Sequence, residues 1–289
     1  DNVFHIEDLS EVGSIELQKI VKGKKKDALS LSRGLENEWL VNDRYSTTEL
    51  KMNAFLELLT TIRVQNKIDK KAQGTALGLL KRNHTQVRIL DRNGNLIKGY
   101  LVGATNNQQT SNIMMMEGAS QAYLVSRPGI EGYVSIFYST KEMSWREKLL
   151  FNIKGDALQT VSVTYRNAHN SFKLHRDQAD APWSLGEGVF AEESRANAYI
   201  DLFEGKVFAE SFVMANPTLR DSLNRRSPEA QIAMRTFDNR NETLLLFARP
   251  ENLNSFFGYM EGKPDLFTVQ HYVIDKFLKS IDYFQKTAL

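Results

Sequence analysis

Polar and apolar residues alternate through Ser14-Ile15-Glu16-Leu17 and again through Thr160-Val161-Ser162-Val163. That period of two marks a strand with one buried face. Two further short strands follow each of these, and the last carries a tryptophan, Trp39 in one place and Trp183 in the other. The pattern then lengthens. Leu50, Phe55, Leu58, Leu59 and Ile62 recur at helical spacing and predict a helix with one buried face, for which Ser46 is the expected N-cap and Glu49 completes a capping box. Residues 189–203 are expected to play the same part further on. A second short helix is predicted over 71–80, and then a meander of four strands over 86–91, 96–102, 111–116 and 121–125. Asn93-Gly94 predicts a two-residue hairpin turn inside that meander. A closing helix is expected from Pro128, since proline suits a first helical turn, and its counterpart from Tyr272.

These features recur at a nearly fixed interval. Trp39 and Trp183 stand 144 residues apart. The same interval carries Asn53-Ala54-Phe55-Leu56 onto Asn197-Ala198-Tyr199-Ile200, Glu117-Gly118 onto Glu261-Gly262, and Tyr123-Leu124-Val125 onto Phe267-Thr268-Val269. At 147 residues, Val87-Arg88-Ile89-Leu90-Asp91 falls on Met234-Arg235-Thr236-Phe237-Asp238; at 143, Leu29-Ser30-Leu31-Ser32-Arg33 falls on Phe172-Lys173-Leu174-His175-Arg176. Small drifts that return to one value are what loop insertions leave in a duplicated unit. The expected fold class is therefore α+β: two tandem, diverged copies of one module, 1–145 and 146–289. Each would be a mainly antiparallel sheet with a few packed helices. Residues 12–138 are expected to superpose on 158–284.

Composition narrows the possible functions. The 289 residues include 37 basic and 35 acidic side chains, so the net charge of +2 provides no global field for nucleic acid. Lys22, Lys24, Lys25 and Lys26 form a local run, read as a solvated hairpin tip. The chain has no cysteine, which excludes disulfides and thiolate chemistry. No apolar run approaches the roughly 18 residues that span a bilayer. The first residue is Asp1, not methionine, and a signal, anchor or tag is expected upstream of it.

A duplicated chain also tests its own motifs, because an ancestral site leaves traces in both copies. Gly186-Glu187-Gly188-Val189-Phe190-Ala191 fits a dinucleotide pattern, but the matching stretch from Asn42 to Thr47 has no glycine. Asp91, Asn93 and Asn95 resemble the start of a calcium loop, yet the glycine comes too early and Arg240 is expected in place of Asn93. Gly118-Ala119-Ser120 lacks the last glycine of a nucleophile elbow, and Pro264 replaces its serine in the second copy. The histidines, at 5, 84, 169, 175 and 271, have no metal-binding spacing; His169 and His175 are the pair most able to meet on neighbouring strands. Glu7-Asp8 and Glu192-Glu193 are adjacent in sequence, so each pair diverges in direction and reads as surface charge. No catalytic, cofactor-binding or metal-binding residue is assigned.

Met114-Met115-Met116 and the aromatics Phe256, Phe257 and Tyr259 occupy corresponding strands and are read as core. Trp39 and Trp183 are read the same way. Trp145 has no partner at the repeat interval, because the sequence given ends at Leu289. With Arg146 it falls at the joint between copies, and the two are the candidate contacts between modules or with a partner.

The ordered series Phe4-His5-Ile6-Glu7-Asp8, Ser14-Ile15-Glu16-Leu17, Trp39-Leu40-Val41-Asn42-Asp43, Tyr100-Leu101-Val102-Gly103, Met116-Glu117-Gly118, Pro128-Gly129-Ile130-Glu131-Gly132-Tyr133 and Trp145-Arg146 resembles a bacterial family, domain of unknown function 4340. The resemblance covers most of the first copy and fades in the second. It implies a cell-envelope protein whose folded part lies outside the cytoplasm, on the periplasmic side, held by an N-terminal membrane or lipid anchor. It supplies no catalytic residues. The expected function is a non-enzymatic envelope module that binds a protein partner or supports assembly of a complex, without cofactors or nucleic acid. The alternative is a small-molecule or glycan binding protein with its site between the modules.

Overall fold

The computed structural model describes residues 3–129, 132–213 and 217–285, and the chain divides into two compact units, Asp1–Glu147 and Lys148–Leu289. The first contains strands β1 (Val12–Val21), β2 (Lys24–Arg33), β3 (Trp39–Val41), β4 (Tyr45–Ser46), β5 (Arg63–Lys67), β6 (Asn83–Asp91), β7 (Leu96–Thr105), β8 (Asn112–Met116) and β9 (Ala122–Ser126). Its helices are α1 (Glu49–Thr61) and α2 (Lys70–Arg82). The strands form one antiparallel sheet in the order β4-β3-β2-β1-β6-β7-β8-β9-β5.

The second unit opens with a short strand, β10 (Leu149–Phe151), followed by β11 (Leu158–Tyr165), β12 (Phe172–His175), β13 (Ser184–Gly186) and β14 (Val189–Phe190). Helix α3 (Glu193–Asp201), strands β15 (Val207–Phe208) and β16 (Ser211–Phe212) and helix α4 (Pro217–Asn224) come next. Strands β17 (Ala230–Thr236), β18 (Asn241–Ala248), β19 (Ser255–Met260) and β20 (Phe267–Gln270) and helix α5 (His271–Ile274) complete it. β10 pairs with β15, and the rest form a sheet in the order β14-β13-β12-β11-β17-β18-β19-β20-β16. Counted from its own first long strand, that is the path taken by the first sheet. Both units are thus mixed sheet and helix, with sheet predominating.

Alternation along the long strands explains which face is covered. Ile15, Leu17, Leu29, Leu31, Val87 and Ile89 point to one side and are buried under Met52, Phe55, Leu58 and Leu59 of α1. Helix α2 covers part of the opposite face, setting Ala76 and Leu80 over Leu101, Ile113, Met115 and Ala122. The methionine run on β8 is buried from both sides: Met114 belongs to the α1 core and Met115 to the α2 cluster. Closeness there depends on Gly103, where an added Cβ would meet Leu80 Cδ2 at 2.6 Å and the Ile113 carbonyl at 2.9 Å. Where α2 does not reach, the same face is polar, as at Glu16, Ser32 and Arg88. In the second unit α3 and α4 take the same two positions, α4 through Leu219 and Leu223 against Phe247 and Tyr259.

Several expectations need correction. Helix α1 begins after Thr48, which has a strand-like backbone, and Ser46 sits in β4. Leu50 is 82% exposed, since it lies across the helix axis from Met52, the residue that faces the sheet. Val189 and Phe190 form the edge strand β14, so the second helix starts later, with Glu192 accepting the Ser194 and Arg195 amides as its N-cap. From Pro128 there is a turn, and the closing segment has two short 3-10 turns, Val134–Phe137 and Glu142–Ser144; Ile130 and Glu131 lie outside the described residues. Its counterpart starts at His271.

The Asn93-Gly94 turn is longer than two residues. Gly94 N–H donates to the Asp91 carbonyl at 3.1 Å, Asp91 N–H donates to Asn95 at 2.9 Å, and only Gly94 has positive φ. That is a type I turn closed by a bulge. The two-residue turn with both φ positive occurs instead at Lys22-Gly23, between β1 and β2. Strand pairing also moves the 147-residue match to 145. Ile15 faces Ile89 as Val161 faces Met234, and Asn239 takes the left-handed place of Gly94. Arg240 therefore stands where Asn95 does, not Asn93.

Candidate functional site

Trp145 and Arg146 are both buried inside the first unit, so neither offers a surface to a partner. The Trp145 ring packs edge-on against Phe55 at 5.2 Å, and its indole N–H donates to the Ser139 carbonyl at 2.7 Å. Its own carbonyl accepts the Thr48 amide at 2.7 Å, at the start of α1. Arg146 lies 3.5 Å over the Tyr45 ring and 3.7 Å from the Glu142 carboxylate. The first unit runs on to Glu147 because that residue donates to the Ser46 carbonyl at 2.8 Å, beside β4.

In the second unit Phe284 makes contacts like those of Trp145, although it does not fall at the 144-residue interval. Phe284 accepts the Glu192 amide at 2.8 Å and packs edge-on against Tyr199 at 5.1 Å, as Trp145 does with Thr48 and Phe55. Trp39 and Trp183 likewise share a role. Arg33 lies 4.7 Å over Trp39 and donates through Nε to the Val12 carbonyl at 3.0 Å and through Nη2 to Leu9 at 3.3 Å. Arg176 lies 4.4 Å over Trp183 and donates through Nε to the Leu158 carbonyl at 2.9 Å, with Nη2 on Gly155 and Nη1 on Ala179. Each guanidinium ties the turn before the first long strand to the second.

Strongly shifted titrations also belong to the framework. Tyr100 and Tyr138 are buried with their hydroxyls 3.1 Å apart, and burial pushes both phenols well above the ordinary tyrosine value. Burial raises Tyr199 in the same way and pushes Tyr165 up to about 12. Folded and unfolded phenols are all protonated below about pH 10; above it the unfolded chain releases protons that the folded one keeps. Stability is therefore expected to hold through the neutral range and to fall as pH rises past about 10, which chemical denaturation at a series of pH values measures. Tyrosinate absorbance that appears in full near pH 10 with the fold intact contradicts this burial.

The sequence motifs resolve into local structure. Gly186 and Gly188 belong to the β13–β14 hairpin, with positive φ at Gly188. Asp91 accepts the amides of Asn93 and Asn95, each at 2.8 Å, and the Asn95 side chain at 2.9 Å, bonds internal to the turn. His169 lies in the 3-10 turn before β12 and His175 on β12 itself; among the described residues no group of three or more His, Asp or Glu gathers for a metal.

Clefts remain in both units. Two gather residues from distant parts of the chain, while the one beside His175 is walled by residues between 173 and 190. In the second unit His175 links Thr160 Oγ1 at 3.2 Å to Asp177 Oδ1 at 3.0 Å beside a cleft of about 540 Å³. Asp177 is almost fully exposed, where solvent screens its carboxylate, so this relay is poorly suited to activating Thr160. A cleft of about 720 Å³ is lined by Phe208, Tyr272 and Val273, with Lys206 and Lys276 at its sides. Phe208 is 40% and Tyr272 81% exposed, and Leu149, 39% exposed, faces Phe208 across the β10–β15 pair. The third, in the first unit, has about 680 Å³ and is lined by Lys19, Lys26, His84 and Lys141. Comparison with protein-family models, with curated proteins and with solved structures finds no match for this chain.

Proposed function

We propose that the protein is a non-catalytic binding module of the bacterial cell envelope, built from two copies of one α+β unit, which docks a protein partner on the aromatic cleft of its second unit. The observation that carries this reading is the exposure of Phe208 and Tyr272 in one cleft flanked by Lys206 and Lys276, with exposed Leu149 paired to Phe208. Aromatic anchors in a depression with a charged rim are the usual centre of a protein interface. Duplication is supported by the common strand order and by the paired Arg–Trp and Trp145–Phe284 arrangements. The envelope location rests on the family resemblance. A glycan is the second reading, favoured by the exposed Tyr272 ring beside Glu210 and Gln270 in the same cleft.

The test is cross-linking of the full-length protein in membranes of its native host, with and without Phe208→Ala and Tyr272→Ala together. A cross-linked partner whose yield falls about tenfold or more in a variant that melts like the parent supports docking here. Undiminished cross-linking overturns it, and so does loss of glycan binding alone. Recovery of the full-length protein entirely in the soluble cytoplasm overturns the envelope location.

A further inference from the structure

The first unit gathers a set of cations around a cleft at one end of its sheet. Lys19 continues the buried file Ile15-Leu17 along β1, and its Nζ lies 3.5 Å from the Thr85 hydroxyl. Lys26 and Lys141 line the same cleft, and among the described residues of its walls Asp27 alone carries a carboxylate. Lys22, Lys24 and Lys25 occupy the adjoining turn and strand start, while Lys81 and Arg82 end α2 just before the wall residue Asn83. Among the described residues none of Lys19, Lys26 and Lys141 is ion-paired. The imidazole of His84 is pushed below its ordinary value, by burial first and then by the Lys19 charge.

This concentration does not follow from overall composition, because the whole chain carries only +2. Nor does the fold demand it. At the matching place in the second unit Tyr165 faces Ala230 as Lys19 faces Thr85, and the Tyr165 hydroxyl donates to the Lys279 carbonyl at 2.7 Å. The hairpin end that carries four lysines in the first unit carries Arg166, Asn167, His169 and Asn170 in the second, and Arg166 is paired with Glu229 at 3.0 Å. One framework thus has an end plugged by Tyr165 in one copy and an open cleft walled by lysines in the other. Unbalanced lysines around a concave site raise the local concentration of anions. Compact ammonium groups beside hydroxyl donors suit a group with several acceptor oxygens and more than one negative charge. Here the hydroxyls are those of Thr85, Ser135 and Thr140.

We propose that this cleft binds a phosphate-bearing ligand, with Lys19, Lys26 and Lys141 holding the phosphate oxygens. The ligand is a soluble phosphorylated molecule or the headgroup of an acidic phospholipid; both present the same group to the same lysines. Val21, Val102 and Ile136 give the cleft an apolar side that either source can use.

The test uses the intact chain and two probes. Inorganic pyrophosphate is titrated by calorimetry, and flotation is measured with phosphatidylcholine vesicles holding about one third phosphatidic acid. Saturable pyrophosphate binding is expected, weakened about tenfold or more by Lys19→Gln with Lys26→Gln and weakened again by added salt. The control pair Lys70→Gln and Lys71→Gln, on the exposed start of α2, is expected to bind like the parent. Flotation that pyrophosphate competes away assigns the site to a headgroup; pyrophosphate binding without flotation assigns it to a soluble ligand. No saturable binding of either probe overturns the proposal. So does an affinity that the Lys19–Lys26 variant leaves unchanged, or that the control pair reduces equally, provided each variant melts like the parent.

Discussion

Trp145→Ala is expected to lower the stability of the first unit by about 4 kcal/mol, the range for truncating a fully buried aromatic. Three losses combine. The cavity opens against Phe55, which packs on the indole at 5.2 Å. The Ser139 carbonyl loses the indole N–H that it accepts at 2.7 Å. Lys51, whose ammonium sits 4.4 Å from the indole centre, loses its aromatic platform. The Thr48–Trp145 backbone bond survives the change, so α1 should still start in the same place. Calorimetry of the whole chain measures the effect, and the transition that contains Tyr100 and Tyr138 is the one expected to move. A variant that melts like the parent would show that Trp145 is not packed in this core. Phe284→Ala is the matching change in the second unit and is expected to shift the other transition.

Arg176→Ala is expected to cost the second unit about 3 kcal/mol, because it strands the buried Leu158 and Gly155 carbonyls and uncovers a tryptophan. Leu158, Gly155 and Ala179 all accept from this one guanidinium. Arg176→Lys should recover little of the loss, since a single ammonium cannot reproduce a planar fork stacked on Trp183. Denaturant titration of the three proteins decides it. Full rescue by lysine would mean that charge alone matters at this site and that the fork geometry does not.

Alternation along β1 and β11, the helical spacing before Ile62 and the recurrence of Trp39 at Trp183 were enough to anticipate the elements and much of their order. They depend on local periodicity, which a chain displays whether or not its partners are known. What was missed depends on partners. Leu50 has the right character and the wrong phase, and only the sheet beneath α1 shows that Met52 is the inward residue. Val189 and Phe190 continue a helical pattern, yet pairing with β13 holds them extended. Phe284 meets the start of α3 as Trp145 meets the start of α1, yet it lies short of the 144-residue interval. The cationic cleft was half visible: Lys22, Lys24, Lys25 and Lys26 stand together in sequence, while Lys19, His84 and Lys141 join them only through the β1–β6 ladder and the turn beyond β9. Neither aromatic of the other cleft stands out in the sequence, because Phe208 and Tyr272 come from separate short elements.

The order of strands has a consequence for how each unit is made. β5 lies at the far edge beside β9, yet it precedes all four strands that separate it from β1. A chain growing from its N-terminus completes β1 to β4 as a local meander, then sets down a strand with no neighbour. The pairs Leu17 with Val87 and Arg63 with Ser126 must both wait for sequence still to come. Such non-local pairing slows folding and leaves an open backbone edge for as long as it lasts. The composition of β5, Arg63-Val64-Gln65-Asn66-Lys67, suits that interval, since charged ends and a polar middle discourage a stray strand from another chain. In the second unit the same edge is kept safe by brevity: β16 is two residues long.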